Sequence, residues 1–488
     1  MKPMQSSQEP LPSLTTVSRV AIVGGGFSGA TISRLLALSG LFEPEEIVVF
    51  EPRSRLGAGV AYDTNDPALR LNVATHRMRA IPGDPQRFAR WFSETGRSGR
   101  DPEAGTEGAI YARRCDFADF MDNEMRPLLE NRRILHVCER VERIRRQNGS
   151  WRIEGNAGTI LHTDIVVVAT GHPPPRTPVQ FPSALQFHPR FVSNPSTSGA
   201  FQRIQQRDNI WIIGAGLTAL DVLATLRARG HSGEITLLSR SGLLPRPQAT
   251  GSFTVEDDLL KRFPKTALCL LRRVRLAVNE ATEKGLPWQI VFDALRHQGQ
   301  AIWQALPSEE QRCFLRHLRR MYDIHRFRMP PQIKELVERE TAAGRLHIRA
   351  GRIVSAVCGS QDILLDVAPA PHGNLEKDRA QWLILATGPD HENVIGSQAC
   401  LLDLERAALI TKDLHGLGIK CDRENRAMAW DGTPVEDLFI AGPLARGTFG
   451  ELTSVPEIVD QAERIVGRVR QISSTVTQRT PIQSTLSN

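Results

Sequence analysis

The chain has 488 residues, 41% hydrophobic and 24% charged, a composition typical of a globular protein with room for two or three domains. No apolar run approaches the roughly 20 residues needed to span a bilayer, so we expect no membrane association. The formal net charge is +7. Because no nucleic-acid motif accompanies this charge, we expect it to steer anionic cofactors and substrates and exclude a nucleic-acid partner.

The polar segment 1–18 has no apolar stretch like that of a signal peptide, so we expect a disordered lead-in to a cytoplasmic protein. The seven cysteines are scattered, and none is spaced C-x-x-C. This spacing argues against a disulfide scaffold, a zinc site and a dithiol redox pair. We therefore predict no bound metal. The sequence does not indicate the oligomeric state.

The first predicted strand, 20–23, runs into a glycine turn and a helix that starts near Ala30. In this G-x-G-x-x-G turn the first glycine allows a tight bend and the second lets the backbone approach a pyrophosphate. The third lets helix and strand pack closely, and the helix N-terminus faces the negative charge. A second strand, 47–50, ends in an acid 22 positions after Gly29, where a ribose-binding carboxylate belongs. The alternative is a glycine turn that joins packed elements. The predicted cofactor contacts are Gly24, Gly26, Phe27, Ser28, Gly29 and Glu51.

A long glycine-containing loop follows Glu51 and favours close approach to a ligand, with Gly59 and Asn72 as candidate contacts. The next apolar strand, 165–168, runs into Ala169-Thr170-Gly171. A buried strand that ends in A-T-G can bring backbone against a dinucleotide at the carboxyl edge of a sheet. These three residues are therefore further candidate contacts.

The opening design is repeated at 210–240. A strand at 210–213 precedes Gly214-x-Gly216-x-x-Ala219, and the next strand ends in Ser239-Arg240 with no acid. Arg240, 21 positions after Ala219, can pair with a 2′-phosphate, which favours NADPH over NADH. The alternative is an exposed arginine at a strand end.

Residues from about 255 to 345 change to arginine-rich helical patterns, which indicates a helical insertion in the second unit. The patterns predict helices at 265–284, 288–306 and 309–322. The segment that follows contains His325, Arg326 and Arg328, which either face a substrate cleft or lie at the surface. We name Arg328 as the substrate anchor and Arg326 as the solvated residue, because Arg328 adjoins the rigid Pro330-Pro331 pair in a segment taken as extended.

A second strand-A-T-G pattern at 382–388 supplies Gly388, so two glycine turns pair with two A-T-G strands. This duplication predicts an α/β fold with two Rossmann-like dinucleotide-binding domains and a helical insertion in the second. We predict an FAD-binding domain at 19–202 and 391–470 and an NAD(P)H-binding domain at 203–390. A disordered tail is predicted at 471–488.

The paired design resembles the two-dinucleotide-binding flavoproteins. Segments 56–62, 70–73, 169–173, 325–331 and 446–458 are similar to a bacterial FAD/NAD(P)-binding family, over about residues 17–469. Its characterised members include an FAD-dependent urate hydroxylase and an aspartate N-monooxygenase that forms nitrosuccinate. The resemblance implies FAD in the first domain and NADPH in the second.

The chain departs from many such flavoproteins at the last segment. They carry Gly-Asp, with the acid on the ribityl chain of the flavin, whereas this chain has Gly442-Pro443. Flavin contacts would then come from the backbone there or from the 451–457 stretch, where Glu457 is the candidate.

The leading interpretation is an FAD-dependent monooxygenase that consumes NADPH and O2 and hydroxylates a small polar or anionic substrate, as a urate hydroxylase does. One alternative is an amino-acid N-monooxygenase with an aspartate-like substrate. Another is a non-catalytic flavin-binding regulator whose partner surface is the basic insertion. A plain NAD(P)H–acceptor reductase is disfavoured by the lack of a dithiol pair.

Overall fold

The computed structural model describes residues 17–479 except 107, 250, 252–263 and 372. The first part of the chain alternates strands and helices, and the predicted strands 20–23, 47–50 and 165–168 are confirmed within longer or identical bounds. Its strands are β1 (Val17–Val23), β2 (Ile47–Phe50), β3 (Gly105–Thr106), β4 (Ala109–Ile110), β5 (Leu135–Val137), β6 (Val141–Gln147), β7 (Ser150–Gly155) and β8 (Ile160–Val168). Its helices are α1 (Phe27–Leu38), α2 (Gly59–Tyr62), α3 (Arg87–Glu94), α4 (Arg97–Arg100) and α5 (Arg114–Glu130).

The middle of the chain forms a second sheet and the helical insertion. Its strands are β9 (Phe191–Val192), β10 (Ile210–Ile213), β11 (Ile235–Ser239), β12 (Leu346–Cys358), β13 (Ile363–Pro369), β14 (Glu376–Ala380) and β15 (Trp382–Leu385). Its helices are α6 (Leu217–Ala228), α7 (Ala267–Glu283), α8 (Gln289–His297), α9 (Gly299–Ala305), α10 (Ser308–His317), α11 (Arg319–Arg326) and α12 (Pro331–Ala342).

The last part of the chain returns to the first sheet. Its elements are α13 (Ala399–Arg406), β16 (Arg426–Met428), β17 (Pro434–Ile440), α14 (Arg446–Phe449) and α15 (Val455–Arg479). Short 3-10 turns lie at 75–77, 102–104, 183–187, 391–393 and 442–445.

The register of each sheet aligns the ends of the strands that precede the predicted site residues. The first sheet has the order β16-β17-β8-β1-β2-β5, with the β6–β7 hairpin joined to β8. Val23 at the end of β1 lies opposite Phe50 and Val168, so the glycine turn, Glu51 and the first A-T-G share one edge. The second sheet, β14-β13-β12-β11-β10-β15-β9, aligns Ile213 with Leu238 and Leu385 in the same way. The predicted fold class, two Rossmann-like units with a helical insertion in the second, is confirmed.

Both faces of the first sheet are covered, which explains why its strands read as unbroken apolar runs. On one face Ile22 packs in a core with α1, α5 and α15. On the other face Val166 packs in a core with α13 and residues that follow β17. The second sheet is likewise packed on one face by α6 and α12.

Two sequence predictions about irregular segments are wrong. Helix α15 continues to Arg479, past the predicted start of a disordered tail, because Ile472 packs on the first core and Arg19 Nη2 donates a hydrogen bond to the carbonyl of Ser473 at 3.3 Å. Residues 17 and 18 belong to β1 and not to a lead-in. The remaining predicted disorder, 1–16 and 480–488, lies outside the described residues.

The insertion contains more helices than predicted. The predicted helix 288–306 is divided at Gln298, where the poor helix former Gly299 follows, and the predicted helix 309–322 is divided at Leu318. Helix α11 also continues through Arg326, so that residue does not lie in an extended segment. No helix in the described part of the chain has the length and apolar character that crossing a membrane requires.

Candidate active site between the two units

The first glycine turn has the shape of a phosphate cradle. Gly24 has φ +102°, and a Cβ there would lie 2.5 Å from the carbonyl oxygen of Ala169. A Cβ on Gly29 would lie 1.9 Å from the Gly24 carbonyl oxygen. Gly26 differs, because the nearest atom to an added Cβ is Gly59 Cα at 3.5 Å. Packing thus demands the first and third glycines, whereas the second leaves space for a ligand.

The polar groups around this turn fit a dinucleotide. Glu51 is buried, accepts a hydrogen bond from the Gly25 N–H at 3.0 Å and pairs with Arg53 Nη1 at 2.9 Å. The hydroxyl of Thr170 is buried and has no hydrogen-bond partner among the described residues. A ribose or a pyrophosphate at this edge would supply the partner that the Thr170 hydroxyl lacks. Phe27 packs its ring on Phe117, with ring centroids 5.7 Å apart, so it offers a ligand its backbone.

The Gly442 segment contacts the first turn but offers no free acid. Gly442 has φ +64°, and a Cβ there would lie 2.5 Å from Ser28 Oγ. Its N–H donates to Gln461 Oε1 at 2.7 Å. The carboxylate of Glu457 accepts from Arg296 Nη2 at 3.1 Å and from the hydroxyl of Ser454. The flavin contact of Glu457 stays a prediction, and its carboxylate is engaged by the insertion.

The second turn repeats the design of the first. Gly214 has φ +132°, and a Cβ there would lie 2.2 Å from the carbonyl oxygen of Ala386. Gly216 has open space around an added Cβ, as Gly26 nearly does. Ala219 is fully buried, and Gly388 has φ +80° at the second A-T-G. Both turns therefore abut the alanine carbonyl of their own A-T-G strand.

Arg240 is exposed directly after β11 and lines the space in front of the second turn. Within the described residues it has no carboxylate at salt-bridge distance. Its guanidinium is therefore available to a phosphate, and the preference for NADPH stays a prediction.

A cleft of about 1510 Å³ lies between the two units and the insertion. The volume of the cleft exceeds the roughly 300–1,000 Å³ typical of a site for one small ligand. A volume of this size is expected where more than one ligand binds. Asn72 lines it from the first unit, 214–218 and Arg240 from the second, and helices α10 and α11 from the insertion. Residues 453–456 before α15 complete the wall.

The cleft carries a marked excess of positive charge. Several of its arginines have no carboxylate at salt-bridge distance in the part of the chain that the structure describes. These are Arg240, Arg316, Arg320, Arg352 and Arg446. The acidic lining residues are Asp323, Asp390 and Glu392. Such a wall favours anionic ligands.

Two of the three predicted substrate residues do not line the cleft. The His325 ring lies 4.9 Å from Phe292 and 5.0 Å from Trp288, and its Nδ1 is 2.7 Å from the carbonyl of Met321. Arg328 is buried and paired with Asp293. It lines a separate pocket of about 20 Å³. Its role as a substrate anchor stays a prediction, and its guanidinium already pairs with Asp293, which also pairs with Arg77.

Arg326 is the member of the three that reaches the cleft. It is buried, pairs with Glu451 and donates to Ser454 Oγ at 3.0 Å. Burial alone would lower the pKa of Arg326, but Glu451 outweighs it and the pKa is raised. The prediction that Arg326 is the solvated residue is wrong, because α11 turns it towards Glu451.

A histidine pair and an arginine that were not predicted as site residues meet in the cleft. His172 and His391 have ring centroids 5.4 Å apart, and Arg446 Nη1 lies 3.4 Å from His391 Nε2. Burial, followed by the charge of Arg446, lowers the pKa of His391 to about 3 and of His172 to about 4. His172 lines the cleft and is exposed there. Each histidine follows an A-T-G, which is the signal that could have found the pair.

The two loops that carry these histidines lie side by side and form an antiparallel bridge between Pro175 and Pro389. The Asp390 N–H donates to the carbonyl of Pro174 at 3.0 Å, and Arg176 pairs with Glu392 at 2.7 Å. The two nucleotide-binding units therefore meet beside the histidine pair. No group of three or more His, Cys, Asp or Glu in the described residues is arranged to hold a metal ion.

Residues 21–173 match the model of a protein family described as FAD-NAD(P)-binding. The match begins in β1 and ends just beyond the first A-T-G, and it confirms the prediction of FAD and a nicotinamide dinucleotide as cofactors. No curated protein matches the chain significantly.

Solved structures resemble the chain over nearly its whole length. The ornithine N-hydroxylase of Kutzneria sp. 744 has a TM-score of 0.63 and 17% identity, over 94% of this chain and 100% of that one. The L-lysine 6-monooxygenase of Pseudomonas syringae has a TM-score of 0.59 and 16% identity, over 93% and 99%. Thioredoxin reductase of Lactococcus lactis has a TM-score of 0.52 and 10% identity, over 94% and 99%. At these identities the likeness establishes the fold, which hosts different chemistries.

Proposed function

We propose that the protein is an FAD- and NADPH-dependent monooxygenase of the amino-acid N-hydroxylase type. FAD, when bound, supplies the redox and oxygen chemistry. Overall, an amine, O2, NADPH and a proton give a hydroxylamine, water and NADP⁺. The protein contributes binding, orientation and exclusion of water.

The observation that carries the proposal is the arginine-lined cleft at the meeting point of the two nucleotide-binding units. Gly26 and Gly216 leave room for the two pyrophosphates, and Arg240 lies free at the position that suits a 2′-phosphate. The N-hydroxylases named above share this architecture over more than nine-tenths of the chain. That likeness supports an amino-acid N-monooxygenase better than the urate hydroxylase that led the sequence interpretation.

The charge of the cleft selects among amino acids. Ornithine and lysine carry a cationic side chain, which would meet Arg316, Arg320 and Arg446 in a cleft whose arginines outnumber its acids. An acidic substrate pairs with the same guanidinium groups in a fork geometry that suits carboxylates. Aspartate is therefore the first substrate to test, with urate second. A dithiol reduction like that of thioredoxin reductase has no support, because the sequence contains no C-x-x-C pair.

The test uses the purified holoprotein. NADPH oxidation, O2 uptake and hydroxylamine formation are followed with aspartate, ornithine, lysine and urate. Hydroxylamine formed from aspartate supports the proposal. Urate consumption without hydroxylamine points to the second candidate. NADPH oxidation that needs an added acceptor indicates a reductase, and a flavoprotein that never oxidises NADPH indicates a regulator.

A further inference from the structure

Beside the cleft, the insertion and residues 417 and 446–451 line a further pocket, here called the insertion pocket, with a volume of about 70 Å³. Its walls are mainly apolar and include Leu270, Leu295, Ile302 and Phe314. A site for one water needs about 10–15 Å³ on a comparable measure, so this pocket has room for several carbon atoms. Apolar cavities of this kind bind apolar ligands, because burial of the ligand's apolar surface is favourable.

The insertion pocket adjoins the cleft, because Arg319, Asp323 and Arg446 line both spaces. Two further polar residues of the pocket lining are joined by a hydrogen bond, which the Tyr322 hydroxyl donates to Glu451 Oε2 at 2.7 Å. An apolar chamber thus meets a charged cleft across a boundary that carries both polar and apolar side chains.

Arg446 is the cation at this boundary that lacks an acidic partner. Its Nε donates to the carbonyl of Gly450 at 3.2 Å, and its Nη1 lies 3.4 Å from His391 Nε2. No carboxylate of the described ranges lies at salt-bridge distance from it. Burial lowers the pKa of Arg446, and the positive charge of Arg319 lowers it further. A bound anion would relieve this uncompensated charge.

We propose that the insertion pocket binds the apolar group of a small organic acid whose carboxylate pairs with Arg446. The guanidinium can hold a carboxylate by two parallel hydrogen bonds, and the apolar walls take the carbon chain out of water. The inference rests on the proposed function where it names a substrate class: beside the acidic amino acid proposed above, an amino acid with an apolar side chain would use both features in turnover. Binding itself requires no turnover.

The lining of the pocket includes one glycine at which a side chain can be started without a clash. Gly299 lines it at the start of α9, and a Cβ added there has no atom within 4 Å. Glycine is a poor helix former, so Gly299→Leu preserves or improves the helix while reducing the space. Gly467 in α15 is a matched control, because it is exposed, helical and equally open around an added Cβ.

The binding experiment is calorimetric titration of the oxidised, flavin-loaded full chain without NADPH, using hexanoate, acetate and hexylamine as probes. We expect hexanoate to bind at least about tenfold more tightly than acetate or hexylamine. Gly299→Leu should weaken hexanoate by at least about tenfold with acetate unchanged, and Gly299→Ala by less. Gly467→Leu should match the wild type. Arg446→Gln should weaken hexanoate more than Arg446→Lys, which keeps the charge but loses the fork.

Three results would overturn the inference: equal affinity for hexanoate and acetate, a Gly299→Leu protein that binds hexanoate as the wild type does, or loss of flavin in Gly299→Leu, which would assign the pocket to the cofactor. A turnover assay with norleucine and aspartate separates the two proposals. Hexanoate binding without N-hydroxylation of any amino acid contradicts the proposed function, while the proposal for the insertion pocket stands. Hydroxylation of aspartate with no hexanoate binding contradicts the proposal for the pocket, while the proposed function stands.

Discussion

Two glycines of the first turn are expected to respond differently to the same added methyl group. An alanine at position 26 meets no close protein atom, whereas an alanine at 29 would place Cβ 1.9 Å from the Gly24 carbonyl oxygen. Gly26→Ala should therefore fold normally but lose its yellow colour, because the methyl occupies the pyrophosphate position. Gly29→Ala should either fail to fold or have a much lower unfolding temperature. Flavin absorbance per protein and thermal unfolding by circular dichroism distinguish the two.

Gly467→Ala on α15 serves as the control, since it adds the same methyl group at an exposed helical position. Full flavin content in Gly26→Ala would contradict the cofactor assignment of the first turn.

Arg240 is expected to decide between the two nicotinamide cofactors. Arg240→Ala should raise the KM for NADPH by roughly 10- to 150-fold, the equivalent of a charge-assisted hydrogen bond of about 1.5–3 kcal/mol, with a much smaller effect on NADH. Arg229→Ala, at an exposed position after α6, provides the control. Steady-state kinetics with both cofactors measure the effect, and equal changes for NADPH and NADH would show that Arg240 does not read the 2′-phosphate.

At the scale of elements, buried ion pairs attach the insertion to α15. Arg296 of α8 pairs with Glu457, and Arg326 of α11 pairs with Glu451 just before that helix. Burial alone would raise the pKa of Glu457, but Arg296 and Arg326 outweigh it and lower the pKa to about 2. The charged form of Glu457 is therefore the form that holds the two elements together.

Glu457→Gln should lower the free energy of unfolding by about 3–5 kcal/mol near pH 7, because it leaves Arg296 buried without its partner. The ordinary pKa of a glutamate, about 4.5, is lowered in the folded protein. The stabilisation is thus complete above about pH 4.5 and is lost as the pH falls towards 2. Urea unfolding near pH 7 and near pH 3 should show the difference between wild type and variant shrinking in acid.

Glu463→Gln is the control, because this glutamate lies exposed on the same helix. A difference between Glu457→Gln and wild type that stays constant down to pH 3 would contradict the ion-pair explanation.

The elements that were predicted well from the sequence are those whose burial produces a recognisable pattern within a few neighbouring residues. Strands such as Ile47–Phe50 are buried on both faces and therefore read as continuous apolar runs. The breaks at Gln298 and Leu318 were missed, because the helical pattern of the sequence continues across both positions. The environment of Arg328 was also missed, since its partner Asp293 lies 35 positions away and pairs only through the tertiary fold.

The cofactor turns were predictable because each chemical demand falls within one short segment, as in Gly24 to Gly29. The cleft was not, since it gathers residues from both units, the insertion and the segment before α15. Arg446 and His391 lie 55 positions apart and are brought together only by the tertiary fold.

At the scale of the whole molecule, the positive cleft predicts a strong effect of salt on cofactor capture. NADPH carries its 2′-phosphate charges in addition to those of NADH, so its association is steered more strongly by the arginines. Raising the ionic strength from about 25 mM to about 500 mM should lower kcat/KM for NADPH several-fold and for NADH less, as the screening length shortens. A salt response equal for the two cofactors would contradict steering by the cleft.

The attachment of the insertion has a consequence for modular redesign. Peptide bonds join the insertion to the second unit, whereas Glu451 and Glu457 belong to the returning part of the first. Deleting the helices of the insertion would leave these two acids without counter-charges and would remove one wall of the cleft. The deletion would therefore not yield a minimal two-unit protein. A chimera that exchanges the helices with those of a relative must transplant residues 446–457 with them. The residues that must be exchanged together to change this wall of the cleft thus come from two separate parts of the chain.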